Sequence, residues 1–382
     1  MAYHRSGDML HLFIPGIGKL CYKIMVLNSY MAIMGKNSFF LTDLMKTGDH
    51  QKIDEFLSMS CLEGERITST GEYYTLHQFN LDKYDRLFAI VDHQIFHYTY
   101  WQNADYRQDI ARRVQSLKEK GFKFIIAHPW ESMENMKSHD QYRTLMQGID
   151  YHVWHGEKNW FWFLMHRLHK GKTYNIDHGS KSYDFIYLNR QSRPHRRRLF
   201  DQLLSGGVLD KSLYSFLDDP HRIKLPNNYE LPWVGDGVFP RYGGEQEIYE
   251  PQYNDATFNL VSETNDNDTD VFMTEKIWKP IIAEQIFVVH GNHQYLKSLK
   301  QLGFMTFDNV FDESYDDERD PGKRINKIVN LCKNLRKLDR QKIYQETELI
   351  RKHNRKNFFN KDVLTKSINN TVLDFFKFAD RS

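Results

Sequence analysis

The stretch that decides the fold runs from residue 271 to residue 292 and reads VFMTEKIWKPIIAEQIFVVHGN. Its first half predicts a helix, because Ile277, Ile281 and Ile282 recur at spacings that place them on one face. The apolar run IFVV that follows is short and ends at a glycine, which is typical of a strand buried on both faces. Thr274 is a residue type that favours the N-cap of the helix. A helix followed directly by a buried strand indicates an α/β protein.

The start of this helix is unusual for a purely structural element. Glu275 suits the positive end of the helix dipole, but Lys276 in the same turn does not. Pro280 removes one backbone hydrogen bond from the helix. A cation at the positive end of a weakened first turn suggests that an anion binds there. A sugar nucleotide fits this pattern, with Lys276 on phosphate and Glu275 accepting hydrogen bonds from ribose hydroxyls.

Length and composition limit the classes of protein to consider. The chain has 382 residues, which favours two domains of about 150–200 residues each. Its formal net charge of +2 gives no strong field, so we expect no nucleic-acid partner. Cys21, Cys61 and Cys332 form no CxxC pair, so neither a disulfide framework nor a cysteine zinc site is predicted. No bilayer-spanning apolar run and no signal peptide are evident, which predicts a cytoplasmic protein without a transmembrane segment.

Strand-like and helix-like segments alternate along both halves of the chain, which predicts parallel sheets. Strands are predicted at 22–28, 86–92, 122–128, 149–155, 184–189, 212–217 and 257–263. Helices are predicted at 107–121, at 195–207 and over most of the tail from residue 325, while 221–256 is predicted to be mainly loop. The polar segment 169–184 is the best linker candidate. We therefore predict two domains, 1–178 and 179–382.

A basic cluster and an acidic cluster lie in loops of the second half. The segment LNRQSRPHRRR (188–198) carries five arginines between a predicted strand and a predicted helix. It is either a clamp for a diphosphate, with Arg193 and Arg197 as the best candidates, or a solvated basic face. The acidic loop NDNDTD (265–270) could begin a calcium loop, which requires Gly at its sixth position and Glu at its twelfth. Val271 and Ile277 occupy those two positions, so a calcium loop is not predicted. A solvated loop is its simplest interpretation, and no metal site is predicted.

Two stretches resemble one known family. FNLVSETNDNDTDVFMTEKIWKPIIAEQIFVVHGN (258–292) looks like the donor-binding motif of GT-B glycosyltransferases related to the α-1,3-fucosyltransferases. Its continuation LKSLKQLGFMTFDNVFDESYDDERDPGKR (296–324) is similar to the same region in bacterial and phage-type relatives. IYLNRQSRPHRRRLFDQL (186–203) resembles the start of their nucleotide domain. The resemblance covers about residues 184–330 and implies the GT-B architecture. That architecture has two Rossmann-like domains facing a cleft, here with a helical C-terminal tail, an N-terminal acceptor-side domain and a C-terminal nucleotide-sugar-binding domain.

The resemblance also implies roles for single residues. Glu275 and Lys276, after Thr274, would hold ribose and phosphate, an arginine of the 193–198 cluster would neutralise the leaving diphosphate, and Glu263 would shape the donor pocket. Phe272 stands where the family usually has Tyr, so the ring is kept and the hydroxyl is lost. Thr264 stands where the family usually has Asn.

Catalysis by such an enzyme requires a general base on the acceptor hydroxyl if the reaction inverts the sugar. Candidates follow strands of the first half, and the resemblance favours Glu131, with Asp92 next. The aromatic segment 152–170 is either a platform for sugar rings or, as the preferred interpretation, packed core.

The predicted function is transfer of a sugar from a nucleoside-diphosphate donor to a glycan or lipid-linked acceptor, inverting and independent of metal. No cofactor is predicted, because the nucleotide sugar is a substrate; GDP is one candidate for its nucleotide. Two alternatives remain at this point. One is a sugar-nucleotide epimerase or hydrolase on the same fold, and the other is a non-catalytic protein that binds glycans or nucleotides.

Overall fold

The computed structural model describes residues 38–42, 59, 64–68, 80–92, 104–127, 151–154, 159–176, 181–216, 219, 246–266 and 271–379. Glu131 and the predicted strand 22–28 lie outside the described residues. The strands and helices of the fold given next all lie within these ranges.

Two sheets, each with all its paired strands parallel, form the framework. The first has the spatial order β2-β1-β3-β4-β5 and the second the order β7-β6-β8-β9. Their strands are β1 (Ser38–Thr42), β2 (Gly64–Thr68), β3 (Arg86–Asp92), β4 (Lys123–Ala127), β5 (Tyr151–Trp154), β6 (Tyr183–Asn189), β7 (Ser212–Phe216), β8 (Ala256–Ser262) and β9 (Ile286–His290).

Helices connect and cover these strands. They are α1 (Ala104–Glu119), α2 (Trp160–His169), α3 (Pro194–Ser205), α4 (Glu250–Asp255), α5 (Glu275–Ile282), α6 (Tyr295–Gln301), α7 (Pro321–Leu335), α8 (Arg340–Glu346), α9 (Glu348–Phe359) and α10 (Lys361–Ala379). None of the described helices has the length and apolar character needed to cross a membrane.

The predicted mixed α/β fold with parallel sheets is confirmed. Each predicted strand from residue 86 onward is present, with its ends moved by no more than two residues. Strands β1 and β2 were not predicted, and neither was α4, which lies in the stretch predicted to be loop. The arrangement of two GT-B domains across a cleft stays a prediction, as does the boundary at residue 178.

The strand order of the second sheet marks where a ligand should bind. The connection after β6 leads to β7 on one side, whereas β8 and β9 lie on the other side of β6. The loops after β6 and β8 therefore diverge at their carboxyl ends. A divergence of this kind opens a crevice, which is the usual ligand position in open α/β sheets. Arg193 follows β6 and Glu263 follows β8, so both stand at this point.

The aromatic segment of α2 is packed core, as the preferred interpretation predicted. Trp162 stacks on Trp278 of α5 with ring centroids 5.5 Å apart. The indole N–H of Trp162 donates to the carbonyl of Phe358 in α9 at 3.0 Å. Helix α2 thereby fixes α5 from the side away from the sheet. The predicted face of α5 is confirmed too, since Ile277, Ile281 and Ile282 are buried.

Candidate functional site

The N-terminus of α5 lies beyond the carboxyl end of β8 and is capped by Thr274, as predicted. The Thr274 hydroxyl oxygen accepts from the backbone N–H of Lys276 at 3.4 Å and from the Lys276 ammonium at 3.0 Å. Pro280 has no N–H to donate, so the carbonyl of Lys276 receives no helical hydrogen bond from position 280. The cap and the lysine side chain therefore form one local unit, in which the lysine bends back over its own helix start.

Glu263 lies beneath this unit and is fully buried. Its carboxylate accepts from the backbone N–H of Thr274 at 3.1 Å, from the Thr274 hydroxyl at 2.6 Å and from the Tyr295 hydroxyl at 2.6 Å. Burial raises the pKa of the Glu263 carboxyl above its ordinary value, against the opposing effect of Lys276 and of these hydrogen bonds. Glu263 therefore holds the helix start in place from below.

Glu275 and Lys276 form a pair at the mouth of the site. The Lys276 ammonium lies 2.7 Å from the Glu275 carboxylate, and the two side chains are 21% and 10% exposed. Burial acts to raise the pKa of Glu275, but the charges of Lys276 and Lys279 outweigh it, so the pKa lies below its ordinary value. Glu275 is thus an ionised acceptor next to a partly exposed cation. This pairing suits a ligand that offers both hydroxyl groups and a negative charge.

Arg196, rather than the two arginines favoured by the sequence, is the buried arginine of the basic cluster. Its Nε and one terminal nitrogen donate to the carbonyl of Glu263 at 3.2 and 3.0 Å. The other terminal nitrogen donates to the carbonyl of Gln191 at 3.2 Å. Arg196 therefore ties the first turn of α3 to the end of β8. Sequence reasoning missed this role because five neighbouring arginines give no sign of which one faces inward.

Arg193 and Arg197 lie at the outer side of the same turn. Arg193 is the N-cap of α3, and its guanidinium donates to the carbonyl of Thr264 at 3.1 Å. Arg197 is exposed, and its guanidinium donates to the Ser192 hydroxyl at 2.8 Å. Arg193 is thus brought to the loop after β8, next to Glu263, while Arg197 stays on the surface of α3. A diphosphate role for either residue stays a prediction.

Two histidines flank the loop that leaves β8. The Nε2–H of His195 donates to the carbonyl of Glu263 at 3.1 Å, and its Nδ1 lies 3.9 Å from the carboxylate of Asp266. His290 lies 3.9 Å from the same carboxylate and contacts the Ser262 hydroxyl at 3.1 Å. Burial lowers the pKa of both imidazoles, so both favour the neutral form. The Asp266 carboxylate therefore lies near two imidazole rings that favour the neutral form.

Phe272 belongs to the packed interior. Its ring meets Phe161 edge-on, with centroids 5.8 Å apart, and it is buried. Its backbone N–H donates to the side chain of Asn292 at 3.2 Å. In this arrangement the ring supports the helix start from behind, and a direct contact between Phe272 and the donor stays a prediction.

The two candidate bases are only partly covered by the structure. Asp92 is the last residue of β3, so its backbone lies at the carboxyl end of that strand, paired with Ala127 of β4. Strand β3 borders β1, and the strand order of the first sheet reverses between them. Asp92 is therefore placed at the point of that sheet where ligands usually bind. Glu131 lies outside the described residues.

The acidic loop is held at its start by a buried arginine. One terminal nitrogen of Arg324 donates to the carbonyl of Asp266 at 3.0 Å and to that of Gly291 at 2.6 Å. Residues 267–270 of the loop lie outside the described ranges. Within those ranges, no group of three or more His, Cys, Asp or Glu side chains is arranged to hold a metal ion. Metal independence stays a prediction.

Comparison with known proteins adds little to this picture. No family model and no curated protein matches the chain. Among the solved structures that resemble it is one described as alpha1,3-fucosyltransferase with GDP-fucose, at 11% identity, over 88% of this chain and 91% of that chain, with a TM-score of 0.34. Similarity at this level establishes no shared function, so the function is inferred below from the residues of this chain.

Proposed function

We propose that this protein is a glycosyltransferase that moves a sugar from a nucleoside-diphosphate donor to a glycan or lipid-linked acceptor. The observation that carries the proposal is the Thr-Glu-Lys start of α5. It places a partly exposed ammonium and an ionised, nearly buried carboxylate side by side beyond the carboxyl end of a parallel strand. A phosphate beside Lys276 would accept from the ammonium in addition to Glu275 and Thr274, and a ribose hydroxyl would donate to the Glu275 carboxylate.

The leaving group of such a reaction is a nucleoside diphosphate, whose developing charge must be stabilised. Lys276 and the N-terminus of α3 supply positive potential at the same edge of the sheet, since Arg193 caps α3 and contacts the loop after β8. Both cations are fixed before the donor arrives, Lys276 by Thr274 and Glu275, and Arg193 by Thr264. Fixed charges of this kind need little reorganisation during the reaction.

The acceptor hydroxyl is proposed to lose its proton to Glu131 or Asp92, with inversion at the sugar carbon. The position of Asp92 at the carboxyl end of β3 supports its inclusion. In the balanced step, the acceptor oxygen bonds to the anomeric carbon, the bond to the β-phosphate oxygen breaks, and the proton passes to the base. The electron pair of the broken bond leaves with the diphosphate, and no metal takes part.

A thermal-shift panel of nucleotide sugars and nucleoside diphosphates tests the proposal. We expect one nucleoside diphosphate to raise the melting temperature of the protein, and Lys276→Ala to weaken its binding about tenfold or more. Lys300→Ala is the control, because Lys300 is exposed and pairs with Asp308 on the surface. An unchanged shift in Lys276→Ala would contradict the phosphate role.

Assays of turnover separate the proposal from its alternatives. Transfer to an acceptor should persist in EDTA, and complete loss that Mn²⁺ or Mg²⁺ restores would refute metal independence. Release of free sugar without an acceptor would indicate a hydrolase, and interconversion of donors an epimerase. Binding without turnover by any donor and acceptor pair would indicate a non-catalytic protein.

A further inference from the structure

Tyr295, the first residue of α6, is a buried tyrosine whose hydroxyl is directed at the candidate site. Its hydroxyl donates to the Glu263 carboxylate at 2.6 Å, within the usual range for an O–H···O hydrogen bond. Burial raises the pKa of Tyr295 well above its ordinary value, and the neighbouring Glu263 charge adds to this effect. The hydroxyl therefore keeps its proton and acts as a donor.

A chain of hydrogen bonds leads from Tyr295 to the ammonium of Lys276. One oxygen of the Glu263 carboxylate accepts a hydrogen bond from the Tyr295 hydroxyl, and the other accepts one from the Thr274 hydroxyl. Because the Thr274 hydrogen is committed to Glu263, its oxygen lone pairs face the Lys276 ammonium at 3.0 Å. Each link thus sets the direction of the next.

The backbone around Tyr295 fixes the ring that starts this chain. Asp316 accepts from the backbone N–H of Leu296 at 2.9 Å, which anchors the first turn of α6. A side chain at Gly291 would meet the Tyr295 ring, since a Cβ there would lie 2.9 Å from the ring carbon Cδ2. Glycine at position 291 therefore leaves the space that lets the ring reach Glu263.

We propose that Tyr295 is a positioning residue for Lys276, and that it orients the ammonium toward a donor phosphate through Glu263 and Thr274. The inference rests on the proposed function, because it assumes that Lys276 binds phosphate. Tyr295 itself touches no ligand in this proposal. Removing its hydroxyl takes one donor from the Glu263 oxygen that also accepts from the Thr274 backbone N–H. Glu263 then holds the Thr274 hydroxyl less firmly, and the Lys276 ammonium shifts toward its other partner, Glu275.

Titration calorimetry with GDP and with UDP tests the proposal by comparing two tyrosine variants. Tyr295→Phe should weaken binding of the diphosphate that the unsubstituted protein prefers by about fivefold to tenfold. Tyr344→Phe is the matched control, because the Tyr344 hydroxyl is also buried and donates to the carbonyl of Thr257 at 3.1 Å, at the opposite end of β8. Tyr344→Phe should lower the melting temperature about as much as Tyr295→Phe does, but it should leave the dissociation constant of the diphosphate unchanged.

A double-mutant cycle separates positioning from a general loss of structure. If Tyr295 acts through Lys276, Tyr295→Phe should have almost no further effect on the dissociation constant in a Lys276→Ala background. A general structural loss would instead weaken binding by the same factor in both backgrounds and would overturn the proposal. Gly291→Ala provides a second variant, because it displaces the Tyr295 ring while keeping the hydroxyl, and it should reproduce the weaker binding.

The outcomes distinguish failure of the proposed function from failure of this inference. If neither diphosphate binds, or if Lys276→Ala binds as tightly as the unsubstituted protein, the phosphate role is wrong and the inference fails with it. If Lys276→Ala weakens binding but Tyr295→Phe and Gly291→Ala both behave like Tyr344→Phe, only the positioning role is wrong. Should Tyr295→Phe not fold, the result for Gly291→Ala decides.

Discussion

The amino and carboxyl edges of the second sheet each bury a carboxylate but surround it differently. At the amino edge, Asp184 of β6 is gripped by two arginines, with Nε of Arg336 at 2.9 Å and the guanidinium of Arg340 on the other oxygen. The same arginines donate to the backbone carbonyls of Gly207 and Lys181. Both arginines are directed inward and join the tail helices to the sheet.

At the carboxyl edge, Glu263 accepts hydrogen bonds from two hydroxyl groups and one backbone N–H instead. The nearest lysine reaches it only through the hydroxyl of Thr274 and remains partly exposed. The Asp184 carboxylate is thus paired directly with two arginines, whereas the Glu263 carboxylate accepts from neutral donors and the lysine beside it pairs with the partly exposed Glu275 instead. The amino edge therefore uses its arginines to hold the tail helices, while anion binding at the carboxyl edge stays a prediction.

Removing the charge of Asp184 is the strongest way to sharpen this comparison. Asp184→Asn leaves two partly buried arginines without their counter-ion, so we expect the free energy of unfolding to fall by about 3–5 kcal/mol. Chemical denaturation followed by circular dichroism measures the loss. Nucleoside-diphosphate binding by the folded protein should stay unchanged.

Asp308→Asn is the control, since Asp308 forms an exposed pair with Lys300 at 2.8 Å. A surface pair of this kind contributes at most about 1 kcal/mol. If Asp184→Asn weakened nucleotide binding as strongly as Lys276→Ala does, the division between the two edges would be wrong.

The sheets and the start of α5 could be predicted from the sequence because their signals are local. Strand β9 begins with the uninterrupted apolar run IFVV, β8 carries a cluster of apolar residues in ATFNLVS, and Thr274 precedes a regular apolar spacing. Strand β2 could not be found, because GERIT mixes charged and apolar residues over only five positions. The sequence of helix α2 shows no helical periodicity, because apolar or aromatic residues occupy all of its first six positions.

The network beneath the site could not be predicted, because its members are distant in sequence. Tyr295 lies 32 residues from Glu263, and Arg196 lies 67 residues from it. Hydrogen bonds of this kind depend on how the segments after β6, β8 and β9 lie relative to one another in the folded protein, which no local pattern reports. Local pattern therefore singled out Glu275 and Lys276, whose ligand contacts stay a prediction, but not Tyr295 and Arg196, which bond to Glu263 beneath them.

The next prediction concerns how stability at the amino side depends on pH. There His169 links α2 to the segment before α4 through hydrogen bonds. Its Nε2 contacts the carbonyl of Gln246 at 2.9 Å, and its Nδ1 contacts the Tyr174 hydroxyl. Burial lowers its pKa from 6.5 to about 4. Because the unfolded chain takes up this proton at higher pH than the folded chain, stability present above pH 6.5 is lost as the pH falls toward about 4.

His169→Gln should remove this dependence. Between pH 7 and pH 4.5, we expect the variant to lose about 2–3 kcal/mol less of its free energy of unfolding than the unsubstituted protein. Denaturation at both pH values measures the difference, with the exposed His353→Gln as the control. Equal losses in all three proteins would show that His169 is not the group that titrates.

The smallest expected effect concerns the outer arginines of the carboxyl edge. Arg193 is held against the loop after β8 by Thr264, whereas Arg197 is exposed and held by Ser192. Arg193→Gln should therefore weaken nucleoside-diphosphate binding about threefold to fivefold and Arg197→Gln less, because an exposed charge is screened by salt. The difference should shrink at high ionic strength.

Lys211→Gln provides the matched control for these two variants, because it removes an exposed charge just before β7, at the amino edge. If all three variants weakened binding equally, net charge rather than position would determine affinity, and the basic cluster would be a solvated face. A selective effect of Arg193→Gln would instead mean that the anion lies where the loops after β6 and β8 diverge. Only this second result agrees with the strand order of the sheet.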